Sequence, residues 1–239
     1  MYYGGMGYYS SMIVLIPAMI FTMIVQGRIK RAYSRYSQVE NSRRLTGAQA
    51  ARMMLDANGL SGVPINILNG GDDLNNYFDP RSNSVNLSQA VYHTDSIAAM
   101  CIACHEVGHA IQHATNYAPV RIRNGIVPLV NVCNWLSMPI LLIGVVFAGL
   151  GGVFPSLIDV GILLFSATVL FQLITLPVEF NASRRAMDTL TNQHLLDEEE
   201  ARGAKAVLRA AALTYVAAAL SAISSLLRLI ILFGGRRDD

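Results

Sequence analysis

The sequence predicts a predominantly α-helical membrane protein of about four transmembrane helices plus a small α+β domain on the cytoplasmic side. Three observations lead there. The 239 residues are 53% hydrophobic and only 14% charged, whereas soluble chains sit near roughly 45–50% apolar and about 25% charged. The excess is concentrated: residues 12–26 carry no charge, residues 126–178 only Asp159, and residues 210–233 only Arg228. The intervening stretches hold most of the basic residues.

A spanning helix needs roughly 20 mostly apolar residues. The middle stretch is long enough for two, which makes four spans in all. The first is the shortest, with Tyr8 and Tyr9 placed to sit at its interface. A secretory signal core is the rival reading for it. No basic residue precedes the run, Pro17 interrupts it, and the Arg/Lys cluster follows it, so residues 1–27 read as a retained anchor.

Charge sets the orientation. Ten of the 18 Lys and Arg lie within residues 28–123 and five more within 184–209, while residues 1–11 and the loop 151–156 have none. Basic residues near span ends stay cytoplasmic. Residues 28–125 and 179–209 are therefore expected inside, joined by a transmembrane hairpin over 126–178, with a last helix and tail over 210–239. Arg236 and Arg237 then fall outside, against the rule. A net charge of +2 implies no nucleic-acid partner. The lipid bilayer is the expected partner, and Arg28-Ile29-Lys30-Arg31 reads as a topology signal rather than a lipid site. Three cysteines do not make a disulfide framework, and in a cytoplasmic domain they stay reduced.

Within 28–125, Thr46 caps a helix running through Leu55 and stopped by Asn58-Gly59. Residues 63–68 read as a strand ended by the turn residues 69–73. Asp79-Pro80-Arg81-Ser82-Asn83 is a further turn, and residues 84–88 alternate as a half-buried strand does. Thr94 or Asp95 caps a long Ala-rich helix that runs to about Ala114, and Pro119 keeps it from continuing.

That last helix carries His105-Glu106-Val107-Gly108-His109. Residues four apart share a helix face, so His105 and His109 can both offer imidazole nitrogens to one Zn²⁺. Glu106 points about 100° round, within reach of a metal-held water without ligating the metal. The assignment is therefore metal for His105 and His109 and catalytic base for Glu106. A polar patch on an amphipathic helix is the bland alternative, but two histidines and a glutamate are costly to bury on an Ala-rich stretch without a shared purpose.

A second pattern overlaps the first. Cys101-Ile102-Ala103-Cys104-His105 has the spacing of a c-type haem attachment site. Haem attachment needs an extracytoplasmic site, and it leaves Glu106 and His109 unexplained. The cysteines read as small core residues instead, and a Cys–Cys–His zinc site is equally disfavoured. His113 continues the i, i+4 series. Eight residues of helix rise about 12 Å, so one ion cannot be held by His105 and His113 together. His93 and His194 stand alone.

Taken together these stretches resemble the YugP-type membrane zinc peptidases. The likeness covers nearly the whole chain: the anchor and its basic sequel, Leu45 to Ala48, Asp79-Pro80-Arg81 leading to Val85-Asn86-Leu87-Ser88, the segment from His105 to His113, Tyr117-Ala118-Pro119, and Pro177-Val178-Glu179-Phe180-Asn181-Ala182-Ser183-Arg184-Arg185-Ala186. Cys101 and Cys104 depart from the small apolar residues expected there. The resemblance implies a zincin-like domain and a neutral, bacterial, zinc-dependent endopeptidase of the gluzincin type, distantly similar to HtpX-type and CAAX-prenyl proteases. Its substrates would be proteins or peptides, membrane proteins among them. A membrane scaffold that keeps zinc without catalysis is the runner-up, and the intact Glu106 counts against it.

Those relatives place a third zinc ligand, a Glu, on a helix well after the first two. Glu179 fits that place, since it follows the third span directly and the hairpin returns it to the cytoplasmic side. Asp159 is expected near the far interface, and Glu198, Glu199 and Glu200 beside Asp197 read as a solvated helix start. Gluzincins often carry Asp four residues after this ligand to orient a histidine. Here that position is Ser183, so either Ser183 bonds more weakly or Asp188 takes the role. The strand at 84–88 is expected to receive substrate by strand addition.

Overall fold

The computed structural model describes residues 11–68 and 75–234. Tyr8, Tyr9, the turn at 69–73, Arg236 and Arg237 lie outside the described residues. Most of the chain is helical: α1 (Leu15–Tyr36), α2 (Gly47–Ala57), α3 (Gln89–His93), α4 (Ile97–Ala114), α5 (Ala118–Phe147), α6 (Phe154–Asn192) and α7 (Glu198–Phe233). Three short strands, β1 (Ile65–Leu68), β2 (Tyr77–Asp79) and β3 (Ser84–Ser88), make the one sheet among the described residues, in the order β1-β3-β2. Four helices are long and apolar enough to cross a membrane, Ser11–Tyr36, Ala118–Leu150, Phe154–Asn192 and Glu198–Phe233. This matches the count expected from the three charge-free stretches.

The chain divides into two compact units. Among the described residues, the first gathers 11–25, 121–176 and 215–234. Its helices keep large apolar side chains such as Trp135, Leu163 and Leu170 exposed, as expected of surfaces that face lipid rather than water. Small residues let its helices approach: a Cβ on Gly144 would lie 2.8 Å from the Ile158 backbone, and one on Gly161 would lie 3.0 Å from that of Leu141. Asn134 accepts a hydrogen bond from Thr168, and Thr22 and Ser221 pair at 3.3 Å. Pro128 and Pro139 lie inside α5 without ending it.

The second unit comprises, among the described residues, 26–68, 75–120 and 177–214 and has its own core. Met54, Leu55, Val85, Leu87, Met100, Val107, Leu190 and Leu195 are wholly buried in it. Thr46 caps α2 as expected, through a full capping box with Gln49. The cap of α4 is Ser96, not Thr94 or Asp95: its hydroxyl accepts the Ala99 N–H at 3.1 Å. Thr94 is extended, and the chain around the start of α2 uses the two carbonyls: Thr94 O accepts from Gly47 N–H and Asp95 O from Asn41 N–H.

The expected substrate strand is also corrected. β3 is the central strand, parallel to β1 and antiparallel to β2, and all five of its residues are buried. Neither edge is open for strand addition. β2, which the sequence did not announce as a strand, holds one edge of the sheet. Glu200 differs from its expected solvated role as well. Asp197 caps α7 by accepting from Glu199 and Glu200 N–H, and the buried Glu200 carboxylate accepts from Asp197 N–H and from the Ser42 backbone and hydroxyl.

Candidate metal centre

α4 carries three of the four residues singled out in the sequence. Its Ala-rich interior buries Ala98, Ala99, Cys101, Ala103, Cys104, Val107 and Ala110 among others. His105, Glu106 and His109 fall on the less buried side of this helix. The fourth residue comes from α6, where Glu179 is buried with its side chain 4% exposed.

The structure brings His105, His109 and Glu179 together. One ligand atom of each lies within 4.8 Å of the others. The Glu179 Oε2 is 3.3 Å from His105 Nε2 and 3.5 Å from His109 Nε2. Two ligands held about 2.1 Å from a tetrahedral ion lie about 3.4 Å apart, so both spacings are those of neighbouring ligands of one zinc ion. The donor set, two imidazoles and a carboxylate, is also one that zinc takes with a further position left open.

Two contacts set the imidazole orientations. Gln112 Oε1 lies 3.0 Å from His109 Nδ1, and Ser183 Oγ lies 3.2 Å from His105 Nδ1. Each leaves Nε2 as the nitrogen aimed at Glu179, which is how outer partners fix a ligating histidine. Of the two candidates for the orienting role, Ser183 meets the histidine, whereas Asp188 is exposed. Gln112 is wholly buried and also clamps the two helices, donating from Nε2 to Val178 O at 2.7 Å and Asn181 Oδ1 at 3.0 Å. Arg185 Nε donates to the same Asn181 oxygen at 2.8 Å.

Gly108 explains how close α4 and α6 can come. A Cβ there would sit 2.6 Å from the Ala182 carbonyl oxygen, nearer than any side chain is tolerated. Sequence reasoning missed Gly108, Gln112 and the backbone of β2. Gln112 alone left a legible trace, standing three residues after His109 and so on its face of the helix.

Glu106 is placed differently from the three. Its Oε2 accepts the Phe78 N–H of β2 at 3.1 Å. Burial pushes its carboxyl up from its ordinary value, more than the nearby histidines pull it down. His113 is exposed and sets its ring at a tilt to that of Phe78, 5.7 Å between centroids, and it is not part of the group. Cys101 and Cys104 are wholly buried in the core. Burial holds both thiols up, Cys104 to about 12.

A family model described as "Putative neutral zinc metallopeptidase" matches residues 11–234. The chain belongs to that family. It is also 43% identical over 224 residues to the "Putative membrane protease YugP" of Bacillus subtilis (strain 168), an alignment covering 94% of this chain and 96% of that protein. No solved structure matches it. Family membership implies zinc, and His105, His109 and Glu179 offer a group of side chains able to hold it. The four apolar helices and the membrane protease among its relatives make it an integral membrane protein.

Proposed function

We propose that this chain is a zinc-dependent endopeptidase working on the cytoplasmic side of a bacterial membrane. His105, His109 and Glu179 hold the ion, and Glu106 is the general base. The observation that carries this reading is a group of two imidazoles and a carboxylate able to hold a metal ion, next on the same helix to a second carboxylate that accepts the Phe78 N–H. When bound, zinc supplies a Lewis acid for the peptide carbonyl and acidifies a water.

The chain's own residues supply the rest. Glu106 takes the proton of the attacking water and returns it to the leaving amine, and a carboxyl raised by burial is better matched to proton transfer near neutral pH. The Phe78 N–H holds that carboxylate in place. The Gln112 and Ser183 contacts keep the imidazoles turned toward Glu179. Residues 28–125 and 179–209 form the cytoplasmic part, joined by the hairpin 126–178. The clustering of Lys and Arg in those stretches supports this sidedness.

The haem alternative loses its support, because Cys101 and Cys104 point into the core rather than toward a site. Glu106→Gln tests the peptidase against the zinc-holding scaffold. The variant should retain zinc by mass spectrometry yet lose cleavage of a quenched peptide by roughly 10²-fold or more. Undiminished cleavage removes the mechanism, and loss of zinc shows that Glu106 is a ligand. Cysteine labels at residues 69–73 should be protected from an impermeant reagent applied outside, and labels at Gly151 or Gly152 should react.

A further inference from the structure

The second unit contains a cavity of about 550 Å³ walled by three helices and reaching Glu106. α4 contributes Ile102, one turn before Glu106 on the same face, and α7 contributes Val207 and Ala211, likewise one turn apart. α1 supplies Gly27, Ile29 and Tyr33, with Gln26 and Lys30 exposed. Asn76, which leads into β2, completes it next to the strand whose Phe78 N–H holds the Glu106 carboxylate.

Several features of this cavity point to one occupant. Its walls are mostly apolar, and among its lining residues only Lys30 and Glu106 are charged. Its volume lies in the range of about 300–1,000 Å³ that ligand pockets occupy. It opens beside the proposed base, and consecutive residues of an extended peptide are only about 3.3 Å apart. A peptide with its carbonyl at the metal centre therefore has a neighbouring side chain within reach of the cavity. Lastly, Gly27 leaves room in the α1 wall: a Cβ there would meet nothing closer than the Arg31 side chain at 3.9 Å.

We infer that this cavity is the specificity pocket of the proposed peptidase, and that it takes a large aliphatic or aromatic side chain of a residue next to the scissile bond. The inference rests on the peptidase reading above. The walls also say where such substrates come from. Gln26 closes the charge-free run of α1, and Ala211 lies at the start of that of α7, so both helices line the cavity at the junction of their charged and apolar segments. Segments at the ends of membrane spans, where bulky apolar residues meet polar chain, fit this position.

Gly27→Trp would fill the cavity from an open position, with a gain rather than a loss in helix propensity, and Gly27→Leu would fill it less. The zinc-loaded protein in detergent is given quenched peptides that differ only in one residue, Phe, Leu, Ala, Gly, Asp or Lys. Wild type should cleave the Phe and Leu peptides at least about tenfold better than the Ala peptide. Gly27→Trp should lower that ratio about tenfold, and Gly27→Leu less, with zinc content unchanged. Ile102→Ala should enlarge the pocket and raise the ratio for a naphthylalanine peptide.

A second measurement does not need turnover. A peptide carrying benzoylphenylalanine is photo-crosslinked to the Glu106→Gln protein, and the adducts should map to Ile29, Tyr33, Ile102 or Val207 and vanish in the Gly27→Trp double variant. Cleavage without side-chain preference, or with preference for Asp through Lys30, overturns the pocket and leaves the peptidase standing. Adducts at the pocket without any cleavage by wild type overturn the peptidase instead. Adducts mapping elsewhere overturn the pocket.

Discussion

α4 and α6 both feed the candidate metal centre, yet they are opposite kinds of helix. α4 is 18 residues long, small-residue-rich and largely buried, and His105 and His109 sit one turn apart on it. α6 runs for 39 residues, begins as an apolar span and carries its contributing carboxylate deep in its second half. The chemistry of α4 is local, because its spacing alone brings two nitrogens to one point. Glu179 gains its place only from the packing of α6 on α4, through the close approach at Gly108 and the clamp at Gln112. A ligand pair can be written in a helix, whereas the third ligand is written in the contact between helices.

The sharpest way to break this comparison is to remove the carboxylate. Glu179→Ala should lower zinc affinity by more than the roughly 10–100-fold that losing an outer partner costs, while the exposed Glu198→Ala leaves it unchanged. Competition with a chromogenic chelator reads both. Equal affinities would take Glu179 out of the ligand set. Gln112→Ala should follow, with zinc affinity down by about 10–100-fold, since it loses both the His109 contact and the bonds to Val178 and Asn181. Ser183→Ala, which loses one contact at 3.2 Å, should cost less than Gln112→Ala, and the reverse order would assign the orienting role wrongly.

Gly108→Ala tests the contact itself. Overpacking against backbone costs about 1–3 kcal/mol, so the variant should melt earlier and hold zinc more weakly even though no ligand is changed. The smallest effect belongs to the cysteines. Buried and with raised thiols, Cys101 and Cys104 should resist maleimide at pH 8 in the folded protein and react after unfolding. Fast labelling would show that the α4 core opens.

Much of this was legible in the chain. The spans follow from charge-free length and Thr46 from its place as an N-cap, while β3 is found where its alternation put a strand but is buried on both faces rather than one. His105, Glu106 and His109 are marked by helical spacing, and the resemblance to relatives pointed to Glu179. What was not legible depends on non-local partners. β2 is three residues long and exists because β3 pairs with it. Thr94 and Asp95 are as good caps as Ser96 until a loop claims their carbonyls. Glu200 looks solvated beside Glu198 and Glu199 until Ser42 folds onto it.

The order of the chain gives the candidate centre a timetable. His109 and Glu179 are separated by 70 residues, counted as 179 − 109, and most of that interval belongs to the other unit. At a synthesis rate of about 5–20 residues per second, Glu179 leaves the ribosome about 4–14 s after His109. Most of two long apolar helices, α5 and α6, must be made in that interval. The candidate set of His105, His109 and Glu179 is therefore complete only in a chain whose middle helices have already been translated, and a nascent fragment ending before residue 179 carries the two histidines without the carboxylate they face.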